Sequence, residues 1–166
     1  QRVLQNHPSS RAEFRCAMIQ SAGLSDESVD CVVSFSVLEH IADCDAVLAE
    51  CRRILKPGGQ LLLSVDNLDG MTGHPLFEKH TVDHKISQRF QAGEFQARLA
   101  RLGFRSANVY PILRSSYARA AFLKGIESQF RYSVAETLWV FLRIAIAEKR
   151  SRGDAHGLFL VACCVK

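Results

Sequence analysis

Asp30-Cys31-Val32-Val33-Ser34-Phe35 and Gln60-Leu61-Leu62-Leu63-Ser64-Val65 are two short, nearly continuous apolar runs, which is how strands buried on both faces of a parallel sheet read. Between them, apolar residues recur at Val47, Leu48, Cys51, Ile54 and Leu55, the stripe of a helix that packs on a sheet. Asp43 stands where an N-cap is needed, and Pro57-Gly58-Gly59 stops the helix. Strand, helix and strand therefore fall within 36 residues, the size of one βαβ unit, whose crossover is expected to be right-handed. This stretch sets the class as α/β.

Upstream, Phe14 to Ile19 reads as another strand. Downstream, Asp66 to Gln88 is polar and without convincing periodicity, so a long loop with at most one short turn is expected, and loops of that length are usually functional or disordered. Phe95, Leu99 and Leu102 mark a helix closed by Gly103, and Phe104 to Tyr110 reads as a strand. Residues 115 to 150 read helical with a break near Tyr132-Ser133. The run from Gly157 to Val165 reads as a final buried strand.

The chain has 166 residues, 48% hydrophobic and 23% charged, which fits one globular domain and excludes disordered or fibrous classes. The net charge of +4 is unevenly placed: residues 1 to 113 carry a net −1 and residues 114 to 152 a net +5. That is too little for a nucleic-acid binder, whose footprint is a dense basic stripe with stacking aromatics. Cysteines at 16, 31, 44, 51, 163 and 164 form no C-x-x-C pair, so neither a zinc site nor a disulfide framework is expected. Most sit among apolar neighbours and read as small hydrophobes in a reducing, cytoplasmic compartment. The opening Gln1-Arg2-Val3-Leu4-Gln5-Asn6-His7-Pro8 has no hydrophobic signal core and reads as the cut edge of something longer.

Leu24-Ser25-Asp26-Glu27-Ser28-Val29-Asp30-Cys31-Val32-Val33-Ser34-Phe35-Ser36-Val37-Leu38-Glu39-His40-Ile41, followed by Glu50-Cys51-Arg52-Arg53-Ile54-Leu55-Lys56-Pro57-Gly58-Gly59-Gln60-Leu61, resembles the second half of a class I S-adenosylmethionine-dependent methyltransferase. The resemblance covers about residues 14 to 110 and the closing strand. It implies a Rossmann-like doubly wound sheet, mostly parallel with an antiparallel closing hairpin, in a single partial domain over 1–166 with a helical insertion at about 114–152. Such enzymes open with a strand and a glycine-rich turn, and an acidic residue after the next strand holds the ribose. Here the first glycine is Gly23, so the first strand-helix unit is expected to be missing from an N-terminally truncated chain.

Ligands of α/β sheets sit beyond the carboxyl ends of the strands. The resemblance places Gln20, Ser21 and Ala22 against the adenine ring, and Ser36 and Val37 along the methionine end of S-adenosylmethionine, with Ser34 or Phe35 at its floor. Glu39 reads as a structural helix-entry residue. His40 stands at the cleft mouth and either packs there or takes a proton from the acceptor, as an imidazole can near neutral pH. His74, Glu78, His80, Asp83 and His84 crowd one segment that the resemblance turns toward the substrate. His80 and His84 are candidate bases, His84 foremost; no third ligand sits at a committed spacing, so no metal is assigned.

Val134 to Ala147 is apolar at 11 of 14 positions, too short for the ~20 residues that span a bilayer. With Arg143 inside it and Lys149, Arg150 and Arg152 after it, residues 134–152 suit either a buried, lid or homodimer helix or peripheral contact with an anionic membrane. The function expected is methyl transfer from S-adenosylmethionine to a small-molecule or lipid-like acceptor by in-line displacement. The alternative is a cofactor-less remnant serving as a binding or scaffolding module.

Overall fold

The computed structural model describes residues 12–67, 71–150 and 156–166. The decisive stretch forms β1 (Val29–Phe35), α1 (Cys44–Ile54) and β2 (Leu55–Asp66), with β1 and β2 parallel. Asp43 caps α1, its carboxylate accepting the Ala46 N–H at 3.0 Å, and the expected stripe at Val47, Leu48, Cys51 and Ile54 is buried. Helix passes directly into strand at Leu55, so Pro57-Gly58-Gly59 lies inside β2, where the register against β1 shifts. A Cβ at Gly59 would stand 2.9 Å from the Lys56 carbonyl and 3.1 Å from that of Asp30, which explains a glycine where two backbones approach.

The remaining elements are α2 (Pro75–Asp83), α3 (Ala92–Arg101), β3 (Arg105–Ile112), α4 (Ser116–Glu127), α5 (Val134–Arg150) and β4 (Phe159–Val165). The sheet order is β1-β2-β4-β3, and β4 runs antiparallel to both its neighbours. The closing strand thus pairs with β3 as expected, inside a sheet otherwise parallel. At the entry to β4, a Cβ on Gly157 would lie 2.2 Å from the Ile112 carbonyl oxygen, so only glycine lets the two chains close there.

One sheet face holds the core. Leu61, Leu63 and Val65 pair with Cys164, Ala162 and Leu160, and all six are buried under Leu48 and Cys51 of α1 and Phe95 and Leu99 of α3. The opposite face is open: Val33 and Phe35 are 51% and 67% exposed and Tyr110 is 53% exposed. The expectation that β1 is buried on both faces is therefore corrected. Among the described residues β1 pairs with β2 alone, and its outward side chains have no cover.

Three further expectations change. Phe14 to Ile19 forms no strand; residues 12–18 are irregular, and Ile19–Ser21 makes a 3-10 turn. Among the described residues no strand lies beside it to supply ladder hydrogen bonds, without which an isolated extended segment is not held. The segment 66–88 is not a loop throughout, because Pro75 opens the nine-residue α2 with a ring already set for helix. Only Phe77 and His80 of α2 are buried, so its apolar stripe is too narrow to show as periodicity. Finally, α5 has no buried residue, which removes the buried-helix reading and leaves a lid, a dimer helix or a membrane contact. Arg152, like Gln1 to Pro8, lies outside the described residues.

The break between α4 and α5 falls where expected. Gln129 and Phe130 both take left-handed backbone, with φ of 53° and 54°, and fold the Phe130 ring onto α4, where a Cβ at Gly125 would come within 2.4 Å of it. All six cysteines are free, and burial pushes the Cys51 and Cys164 thiols up to about 11, which suits packing rather than reactivity. No described helix is long and apolar enough to cross a membrane.

Candidate active site

The chain leaves β1 through Ser36, whose φ of 47° is left-handed, an unusual conformation for a residue with a Cβ. Its N–H donates to the Ser64 carbonyl at 3.0 Å, so the turn is tied to the end of β2. A 3-10 turn, Leu38–His40, follows. Leu38 and Glu39 are buried by it, while His40 faces out. Asp66 ends β2 and is 9% exposed.

Helix α2 brings the histidines in. His80 and His84 share one helix face, their ring centroids 4.2 Å apart; His80 packs edge-on to Phe122 of α4 at 5.6 Å. The segment after α2 is anchored on the 3-10 turn, because the backbone N–H groups of Ser87 and Gln88 donate to the Glu39 carbonyl at 2.8 and 3.1 Å. The Gln88 amide donates further to the Ala42 carbonyl at 2.8 Å. Ser36, Glu39, His40, Asp66, His80 and His84 thereby converge on a cavity of about 180 Å³, with Ile86, Phe122 and Phe159 completing its wall.

The buried carboxyls set its electrostatics. Glu39 is fully buried, and neither of its carboxyl oxygens has a donor among the described groups. Burial, reinforced by the neighbouring Asp66, pushes it up to about 7. Burial raises Asp66 as well, opposed by the neighbouring Glu39 carboxyl and by the charges of His40 and His84. Burial and the neighbouring Asp66 both favour a neutral Glu39, while the charges of His40 and His84 favour the Asp66 anion. Burial, then the nearby His84, holds His80 below the usual imidazole range, so it stays neutral.

Of the residues expected at the site, the structure gathers His40, His80, His84 and Ser36. Val37 is 43% exposed beside them. Gln20 and Ser21 lie in the 3-10 turn of Ile19–Ser21, with Ala22 as its C-cap, near α1, and none of the three lines the cavity. His74 precedes α2, Glu78 pairs with Arg89 at 3.2 Å, and Asp83 pairs with Lys79. Asp66 is not among the residues expected at the site, and Glu39 was expected only in a helix-entry role; the signal for Asp66 is its place directly after the strand expected over Gln60 to Val65. Phe122 and Phe159 carried none.

Residues 1–63 match a family model described as a methyltransferase domain. An uncharacterized 37.1 kDa protein in transposon TN4556 of Streptomyces fradiae is 36% identical over 119 residues, 67% of this chain and 34% of that protein. A probable S-adenosylmethionine-dependent methyltransferase of Mycolicibacterium smegmatis is 42% identical over 57 residues, 34% of this chain and 22% of that one. The chain thus spans about a third or less of these curated relatives. Among solved structures, phosphoethanolamine N-methyltransferase 2 of Haemonchus contortus, in complex with S-adenosyl-L-methionine, superposes with a TM-score of 0.58 at 18% identity, covering 91% of this chain and 36% of that one.

Proposed function

Because the chain belongs to the class I S-adenosylmethionine-dependent methyltransferases, we propose that it builds the acceptor side of a methyl-transfer site acting on a small-molecule or lipid-like nucleophile. The observation that carries this is the convergence of Asp66, His40, His80 and His84 at the strand ends, beside the exposed left-handed turn at Ser36.

The residues present fit the methionine end of the cofactor. The Ser36 turn leaves backbone polar groups accessible at the carboxyl end of β1, with Val37 exposed next to them. Gln20, Ser21 and Ala22 remain the candidates for the adenine end. S-adenosylmethionine supplies, when bound, an electrophilic methyl group on a sulfonium, whose methyl–sulfur bond breaks in the transfer to leave a neutral thioether. The chain's own residues hold the acceptor against it, and alignment of the two reactants supplies most of the rate. His84 takes the acceptor hydroxyl proton on a ring nitrogen as the new O–C bond forms, and Asp66, a positioning residue, favours the resulting imidazolium. Peripheral membrane contact or a homodimer through α5 both fit its exposed apolar side chains, Leu138, Trp139 and Leu142.

The second reading, a cofactor-less binding or scaffolding module, draws on the open sheet face at Val33, Phe35 and Tyr110. The experiment that separates the two is methyl transfer from methyl-labelled S-adenosylmethionine by the full-length protein to a panel of hydroxylated acceptors. Labelled product is expected. No cofactor binding and no transfer to any acceptor would favour the binding module.

A further inference from the structure

Helix α5 is apolar on the side it shows to solvent. Its inner side is set by Thr137, Val140, Ile144 and Ala147, spaced as the stripe of a helix docked on its own molecule, and each of the four is half-buried. Outside stand Val134, Leu138, Trp139, Phe141, Leu142 and Ile146, between 42% and 79% exposed. A helix that is apolar all round is normally buried, yet no residue of α5 is buried. A contiguous exposed apolar surface with a polar rim marks a contact with another molecule or with a membrane.

The helix is fixed to the body and its inner charges are turned aside. The Glu148 carboxylate accepts the backbone N–H groups of Arg114 and Ser115 at 2.8 and 2.7 Å, which pins the end of α5. Between residues 134 and 147 the sole charges are Glu136 and Arg143. Glu136 accepts the Ser133 N–H and hydroxyl at 2.8 and 2.7 Å, and the Arg143 guanidinium lies over the Tyr117 ring at 4.9 Å. Both therefore line the groove between α4 and α5, and the outer stripe is left uncharged. Its rim is basic: Arg131 stands at one end, Lys149 and Arg150 at the other and Lys124 alongside, all exposed.

We propose that the outer face of α5 lies on an anionic lipid surface, its apolar stripe sunk about 5 to 10 Å into the headgroup boundary and its basic rim on the lipid phosphates. Charge decides between this occupant and a second copy of the chain. Residues 114 to 152 carry a net +5, which an anionic surface attracts. A second copy brings the same charge: an antiparallel pairing that sets Leu138 against Leu142 also sets Lys149 against Arg131, and a parallel pairing sets each cation against itself. The indole of Trp139, apolar with one polar edge, suits a boundary that is dry on one side and wet on the other. No described helix is long and apolar enough to cross a membrane, so α5 would lie along the surface. The contact is independent of methyl transfer: lipid binding without transfer, or transfer without lipid binding, keeps one idea and removes the other.

Trp139 is the only tryptophan of the chain, so its fluorescence reports the contact directly. On titration of the purified chain with vesicles of mixed phosphatidylglycerol and phosphatidylcholine, a blue shift and quenching by lipid brominated along the acyl chain are expected. Vesicles of phosphatidylcholine alone should bind about tenfold more weakly or worse, and salt that shortens screening to about 3 Å should remove the difference. Lys149→Gln combined with Arg150→Gln is expected to cost about fivefold per residue on the anionic vesicles and nothing on the neutral ones. Leu138→Ser combined with Leu142→Ser should weaken binding about tenfold or more on both; the two leucines are 66% and 52% exposed, so the fold is kept. An unshifted Trp139 with anionic vesicles, or binding that both variants leave unchanged, overturns the proposal. So does a blue shift that grows with protein concentration in the absence of lipid, with a doubled mass in sedimentation, which assigns the face to a second copy.

Discussion

Replacing His84 with asparagine is expected to lower turnover at saturating acceptor by roughly 100 to 10,000-fold, the usual worth of a general base, and to remove the acidic limb of the pH profile. The charges of His84 and His40 both act on the raised Asp66 carboxyl, but only His84 also packs against His80, its ring tilted 42° to it at 4.2 Å. His40→Asn and His80→Asn should therefore act mainly on acceptor binding, since His80 is buried and held neutral. Steady-state kinetics of the three variants across pH decide it. Near-normal turnover in all three would leave alignment as the sole source of rate and remove His84 as a base.

Glu39→Gln is expected to flatten the pH dependence of stability. The folded Glu39 carboxyl is raised from 4.5 to about 7, so the folded state holds that proton more tightly than the unfolded chain does. The stability it contributes is complete below about pH 4.5 and is lost as pH rises through about 7. The loss is about 1 to 3 kcal/mol, worth about 2 to 4 °C in melting temperature for each kcal/mol in a chain of this length. Glutamine keeps the shape and one donor for Asp66 but has no proton to lose, so its melting temperature should hold across this range while the wild type falls. Asp66, raised in the same direction, leaves a smaller residual slope. Parallel melting curves for the two proteins would show that Glu39 titrates as an ordinary carboxyl.

The fold was legible wherever one segment carries its own pattern. Val47, Leu48, Cys51 and Ile54 advertise a one-sided helix, and Leu61 to Val65 a buried strand, because local periodicity and burial coincide there. The antiparallel closing strand was legible through the family resemblance. What failed depended on neighbours distant in sequence: Phe14 to Ile19 has strand composition but no described partner strand, and β1 has buried-strand composition with one uncovered face. Helix α2 was hidden because tertiary packing at Phe77 and His80 holds it, rather than a broad apolar face.

The site divides along the same line. Ser36, His40, His80 and His84 were found because each follows a strand or crowds the segment after one. The Glu39–Asp66 pair was not: its meaning comes from two side chains 27 positions apart in sequence that are both taken out of water.

The central claim is that cofactor and acceptor meet at the carboxyl ends of β1 and β2. It is tested most directly by NMR titration of the isotope-labelled chain with S-adenosylhomocysteine, a measurement that registers even weak binding, as expected here with β1 unpaired on its outer side among the described residues. The account predicts that the amide signals of Ser36 to His40 and of Asp66 and Asn67 move together with the His84 ring signals, and that those of α3 stay still. Shifts confined to α4 and α5, or to the open face at Val33 and Tyr110, with Ser36 and Asp66 unmoved, would contradict it.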